Sequence, residues 1–150
     1  LKEYYYSGRD EGKQKSPSEY AADFKEYFEG LQKKYGIATA IVYIDPSAKG
    51  LAEEIKRKCP AVKIVDAQND VALGISRTQK LMTYGVLEAS PTQENLTREA
   101  GTYEYDAKSI EQGKEVPVKV NDHCMDAMRY AVMGMWKYLK YFLPIAEQED

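Results

Sequence analysis

The chain has 150 residues, of which 43% are hydrophobic and 30% charged, enough for a core that buries about two-thirds of the unfolded surface. Glycine and proline are few and thirteen tyrosines run along the chain, which excludes a low-complexity or disordered class. A formal charge of −3 from 21 basic and 24 acidic residues excludes a generally basic nucleic-acid-coating protein, though not a local basic surface.

Residues 1–6, Leu-Lys-Glu-Tyr-Tyr-Tyr, read as a β-strand that starts with no initiator Met and no leading loop, so a piece of a longer protein is expected. Residues 7–15 are polar, charged and glycine-bearing, the composition of an exposed loop. Ser16-Pro17-Ser18-Glu19 is a capping box with Pro at the first helical position. Tyr20, Phe24, Tyr27, Phe28 and Leu31 follow at helical spacing, so a helix is expected to about Lys34, ending near Gly36. Residues 37–44 form a continuous apolar, β-branched run ending at Asp45-Pro46, the pattern of a strand buried on both faces.

Helix is expected over 47–58, a short strand over 62–65, helix over 70–82, a weak strand over 86–88 and helix over 91–100. Residues 101–120 read as mostly irregular, with Gly113 and Pro117 as breakers. A long last helix is expected over 121–142, with Met125, Met128, Val132, Met135, Trp136 and Leu139 on its apolar side and Pro144 beyond its end. The tail, residues 147–150, reads as exposed. This alternation argues for one α/β domain, a mixed sheet with helices on both faces.

Cys59 and Cys124 lie too far apart in sequence for a zinc-type pair or a disulfide framework, which points to a reducing compartment and a cytoplasmic protein. No apolar run is long enough for a membrane span and no signal-peptide pattern occurs. The phosphate loop Gly-x-x-x-x-Gly-Lys-Ser/Thr, the dinucleotide pattern Gly-x-Gly-x-x-Gly and serine-nucleophile motifs are absent. Asn95-Leu96-Thr97 matches a glycosylation acceptor, but in a cytoplasmic chain the match is chance.

Two places carry acidic residues where apolar ones would be expected. Asp45 leaves the most apolar strand at its carboxyl end, where α/β sheets gather functional groups, although Asp-Pro is also an ordinary turn starter. In Asn121-Asp122-His123-Cys124-Met125-Asp126, Asp122, His123 and Asp126 project from neighbouring positions on the first turns of the last helix. There the helix dipole favours ionised carboxylates, which suit a hard divalent cation. A capping role accounts for Asp122 and a surface role for His123, but neither accounts for Asp126, inside the helix beside Met125 and Met128. A strand-end Asp with a helix-borne Asp and His resembles half of a two-metal phosphodiester hydrolysis site. Zinc is disfavoured, because one His and two distant Cys supply no tetrahedral soft-ligand set. Arg9, Lys13 and Lys15 on the first loop, with Lys119 before the acidic helix, are candidate phosphate contacts.

These residues resemble a known family, the carboxy-terminal nuclease domain of the large terminase subunit of tailed bacteriophages and prophages. The resemblance rests on Lys2-Glu3-Tyr4-Tyr5-Tyr6 with its Gly-Arg-Asp-Glu-Gly loop and on Ile44-Asp45-Pro46-Ser47-Ala48. Above all it rests on residues 121–130, where Asp122-His123-x-x-Asp126-Ala127-x-Arg129-Tyr130 resembles the family's Asp-His-x-x-Asp-Ala-x-Arg-Tyr signature. Elements between these segments follow the family's order, including Tyr103-Glu104-Tyr105-Asp106.

The resemblance implies an RNase H-like fold and a Mg²⁺- or Mn²⁺-dependent endonuclease that cuts concatemeric viral double-stranded DNA during packaging, in the cytoplasm of a bacterial host. It implies Asp45 as strand-borne metal ligand, Asp126 as helix-borne ligand, His123 as the neighbour that helps place metal or water, and Asp122 in a less defined metal role. The portal protein and the small terminase subunit are the implied partners. The family's fold begins with two further strands, the first carrying another metal-binding Asp, whereas this chain starts at what reads as the third. Neither Asp10, in the loop, nor Glu3, within that strand, is expected to replace the missing carboxylate, and the family's ATPase motor is not expected in these residues, which carry no phosphate-loop motif.

Two other readings stand beside the nuclease. One is a non-catalytic docking module of the packaging machine, prone to self-association through an unpaired amino-terminal edge strand. The other is a generic α/β domain in which Asp45 and Asp126 are independent structural residues.

Overall fold

The computed structural model describes residues 3–114 and 116–149. They gather into two compact units, one of residues 4–66 and the other of residues 67–149 together with Glu3.

In the first unit, helix α1 (Pro17–Tyr35) forms where its capping box requires. The Ser16 hydroxyl accepts from the Glu19 amide at 3.3 Å and the Glu19 carboxylate accepts from the Ser16 amide at 2.8 Å. The Lys13 ammonium, then the Ser16 donors, hold the Glu19 carboxyl down at about 2. Gly36 closes the helix at φ 66, a left-handed geometry that costs glycine nothing. Strand β1 (Ala40–Ile44), helix α2 (Lys49–Lys58) and strand β2 (Val62–Asp66) follow. The two strands pair in parallel, with Ala40 opposite Val62 and Ile44 opposite Asp66.

The alternating side chains Ala40, Val42 and Ile44, with Val62 and Ile64, pack on Ala21, Phe24 and Phe28 of α1 and Leu51 and Ile55 of α2. Both helices therefore lie on one face of the sheet. The expectation that β1 is buried on both faces does not hold, since Ile41 is 55% exposed. An all-apolar run suggests two covered faces, but alternate residues of β1 serve only one.

The amino-terminal strand also differs from expectation. Leu1 and Lys2 lie outside the described residues, and Glu3 to Tyr6 form no strand. Tyr4 and Tyr6 use their rings on α1 instead, Tyr4 against Tyr27 at 6.5 Å and Tyr6 edge-on to Tyr20 at 5.7 Å. The Tyr4 hydroxyl donates to Asp23, and that of Tyr6 to the Lys13 carbonyl at 2.5 Å. Self-association through an edge strand thus lacks its edge among the described residues.

In the second unit, Asp70 caps α3 (Val71–Thr83), accepting from the Leu73 amide at 3.0 Å. No strand forms at 86–88, because the Val86 and Leu87 amides both donate to the Leu81 carbonyl, at 2.8 and 3.1 Å. These bonds close the end of α3 after the left-handed Gly85. Helices α4 (Glu94–Ala100) and α5 (Ala107–Glu111) are short, and Tyr105 bridges Pro117 in antiparallel fashion. Helix α6 (His123–Leu139) continues as a 3₁₀ turn over Lys140–Phe142.

Leu81 of α3 packs with Val132, Trp136 and Leu143 to form the unit's core. Met125 and Met128 are only half-buried and Met135 is exposed, as are Tyr138, Tyr141, Phe142 and Ile145. No helix among the described residues is long and apolar enough to cross a membrane.

Candidate functional site

The amino terminus of α6 is capped by a residue that local sequence rules do not name. Asp122 stands at the N-cap position, but its side chain makes no capping hydrogen bond. Glu99 of α4, 1% exposed, reaches over instead, and its Oε2 accepts from the amides of Cys124 at 2.6 Å and Met125 at 3.3 Å. An ionised carboxylate on these first-turn amides makes charge-assisted hydrogen bonds and meets the positive end of the helix dipole. Burial, then the charge of Glu99, pushes the Cys124 thiol up to about 12.

With the cap supplied from α4, the Asp122 carboxylate is available for other work. Asp122 is 7% exposed, and its Oδ2 has no hydrogen-bond donor. The Lys119 ammonium stands 3.4 Å from that oxygen, at ion-pair range, and 3.6 Å from Asp126 Oδ2. Two carboxylate oxygens, one turn apart on α6, therefore converge on a single cation. The other Asp126 oxygen, Oδ1, accepts from Arg129 Nη2 at 2.7 Å.

Arg129 is itself 2% exposed, and it also donates to Asn69 Oδ1 at 3.0 Å. Its Nε and Nη1 have no hydrogen-bond acceptor, and its guanidinium lies 4.8 Å from the Tyr130 ring centroid, where the ring's π-face offsets part of that loss. The stem of Arg129 crosses α3 at Gly74. A Cβ there would stand 2.4 Å from Arg129 Cγ, so α3 carries a glycine where the arginine passes.

Beside this cluster is a cavity of about 360 Å³, lined chiefly by Ile75, Met82, Leu96, Met125 and Met128, with Tyr103 and Arg129. The Tyr103 hydroxyl is pushed up first by burial and then by the charge of Asp126. His123, at the first position of α6, is exposed.

Asp45 belongs to the other unit. It follows β1 and accepts from the Ser47 amide at 2.8 Å, the ordinary turn that Asp-Pro begins. It also lines a groove of about 620 Å³ at the carboxyl ends of both strands, with Asp66, Glu53, Lys49 and Lys56. The strand-end position is therefore both a turn and the wall of a cleft. Of the expected phosphate contacts, Lys13 pairs with Glu19 at 2.8 Å, and Lys15 pairs with Asp23 and lies 4.0 Å from the Tyr6 ring centroid. Both fasten the amino-terminal segment to α1, whereas Arg9 lies on an exposed turn.

The chemistry at Asp122 and Asp126 fits a hard divalent cation. Among the described residues no group of three or more His, Cys, Asp or Glu is arranged to hold a metal, but Mg²⁺ commonly takes one or two carboxylates and keeps several waters. Two converging oxygens, one of them buried without a donor, make such a partial donor set.

Comparison with solved structures identifies a similar chain. Over 87% of its length this protein is 36% identical to the large terminase of a thermophilic bacteriophage in complex with ATP-gamma-S, with a TM-score of 0.76. The ADP complex of that terminase gives 34% identity over 91% of the chain and a TM-score of 0.78. The chain is similar to a phage large terminase. It spans about a third of that terminase's length, 32% and 33% in the two structures. No protein-family model and no curated protein matches the chain.

Sequence reading missed Glu99 and Asp66, and quoted Tyr103 and Arg129 only within segments of the resemblance. A signal for Glu99 existed, since it falls three residues after Leu96 on the same face of a short helix.

Proposed function

We propose that this chain is the nuclease domain of a phage large terminase, an RNase H-like, Mg²⁺- or Mn²⁺-dependent endonuclease that cuts concatemeric viral double-stranded DNA as genomes are packaged. The observation that carries the reading is the likeness of nearly the whole chain to a phage large terminase, joined to the convergence of Asp122 and Asp126 on one cation position. In this reading Asp126 and Asp45 are metal ligands, Asp122 is a further oxygen donor, and His123 helps to place metal or water. Arg129, bonded to Asp126 Oδ1, orients that carboxylate so that Oδ2 faces the cation position.

Divalent ions at such sites activate water for attack on the phosphodiester and stabilise the leaving oxygen. In this reading Arg9, on an exposed turn, and Lys119 meet the DNA backbone. The portal protein and the small terminase subunit are the partners this reading implies, in the cytoplasm of a bacterial host. A second reading, a non-catalytic docking module of the packaging machine, is favoured by the exposed Tyr138, Tyr141, Phe142 and Ile145.

Plasmid nicking with Mn²⁺, with and without EDTA, beside Asp126→Ala, separates the two. The nuclease reading expects EDTA-sensitive nicking that Asp126→Ala abolishes while the far-UV circular dichroism is unchanged, since the substitution removes charge rather than core volume. Cleavage that is unchanged in Asp126→Ala would remove Asp126 from the site. No cleavage by the wild type at high protein concentration would leave the docking module.

A further inference from the structure

We infer that Lys119 is a displaceable internal counter-ion of the α6 carboxylates, occupying the position that a divalent cation takes and competing with it. This rests on reading Asp122 and Asp126 as metal ligands. Its Nζ lies 3.4 Å from Asp122 Oδ2 and 3.6 Å from Asp126 Oδ2, so one ammonium is shared between two oxygens at similar distances and belongs to neither. That is where an ion bridging the two carboxylates would sit.

The carboxylates are held in place and the lysine is not. Asp126 is fixed through its second oxygen by Arg129, and Asp122 is buried with an oxygen that no hydrogen bond satisfies. The Lys119 side chain is 59% exposed. It comes from a segment with no regular structure, joined to α6 through Asn121, which stands at φ 51. Asn enters this left-handed region more readily than other residues with a Cβ. A long flexible stem can withdraw its head into water, while the acceptors cannot follow.

Charge balance supports the exchange. Two carboxylates, Arg129 and Lys119 sum to neutrality in the metal-free protein. Replacing the ammonium by a divalent ion leaves one positive charge in excess, the complement of one phosphodiester. Without any cation, two carboxylates one helical turn apart would repel each other. The lysine therefore steadies the metal-free site and opposes metal entry.

The test is Mn²⁺ binding by isothermal titration calorimetry, together with thermal melts, on the metal-free protein and on Lys119→Met, Lys119→Arg and Asp126→Asn. Lys119→Met should bind Mn²⁺ about three- to tenfold more tightly, the equivalent of two partly exposed ion pairs no longer competing. It should also melt lower than wild type without metal, and saturating Mn²⁺ should close that gap. Lys119→Arg, which retains the charge, should stay near wild type in both readouts. Equal or weaker Mn²⁺ binding by Lys119→Met overturns the counter-ion role. Binding that Asp126→Asn abolishes but Lys119→Met leaves unaltered would sink the lysine alone and keep the metal site. No Mn²⁺ binding by wild type or Lys119→Met would overturn both.

Discussion

Glu99 shows how one buried side chain can decide what its neighbours are free to do. By accepting from the Cys124 and Met125 amides it takes over the capping that Asp122 would otherwise provide, and Asp122 keeps its oxygen for a cation. The same charge also acts on Cys124. Burial and Glu99 together push this thiol up to about 12, so at pH 8 the reactive thiolate is about 10⁻⁴ of the population, against roughly a quarter for a free cysteine. Alkylation at Cys124, followed by mass spectrometry, should accordingly be far slower than for a small-molecule thiol. In Glu99→Gln it should accelerate, because one cause of the shift is gone while burial remains. Labelling of wild-type Cys124 at the free-thiol rate would contradict this account of its surroundings.

Helices α3 and α6 meet where Gly74 lets the stem of Arg129 pass, and this crossing connects packing to the site. Gly74→Ala adds a methyl that clashes with Arg129 Cγ at 2.4 Å and Cδ at 2.7 Å. The helix propensity that Ala gains cannot offset that overlap. Urea denaturation should show a loss of about 1–3 kcal/mol, the usual cost of overpacking, with weaker Mn²⁺ binding as Arg129 and then Asp126 shift. A stabilised Gly74→Ala protein would mean that the arginine has room to move. At this scale the sequence was legible wherever the signal was local. The capping box fixed the start of α1, apolar periodicity located α3 and α6, and the β-branched run located β1. It was not legible where tertiary contacts overrode local pattern. Tyr4 and Tyr6 look like strand residues but spend their rings on α1, and the amides of Val86 and Leu87 close a helix instead of joining a sheet. The site divides in the same way. Asp122 and Asp126 are legible because an acidic pair interrupts an apolar helix, whereas Glu99 and Arg129 act through elements that no local pattern joins.

Across the whole chain, the nuclease reading asks two carboxylates far apart in sequence to serve one reaction. Asp45 lies in the unit of residues 4–66 and Asp126 in the unit of residues 67–149, each with its own local surroundings, a strand-end groove in one case and an arginine-held helix face in the other. Kinetics can decide whether they act together. When residues act as one catalytic device, removing either forfeits most of what both contribute, and losses do not multiply. Independent sites give losses that add in free energy. Asp45→Asn and Asp126→Asn should each reduce EDTA-sensitive nicking by about 10²-fold or more, of the order expected when a preorganised charge is lost from a transition-state site. The double substitution should fall no further than the weaker single variant. Asp45→Asn, in a strand-end turn, should melt close to wild type, whereas Asp126→Asn and the double variant should melt lower because buried Arg129 loses a charged partner, so nicking is compared at a temperature where all three variants are folded. If the double variant loses the product of the two single effects, Asp45 and Asp126 contribute separately, and if Asp45→Asn alone leaves nicking unchanged, Asp45 reverts to the strand-end turn that its bond from the Ser47 amide already describes.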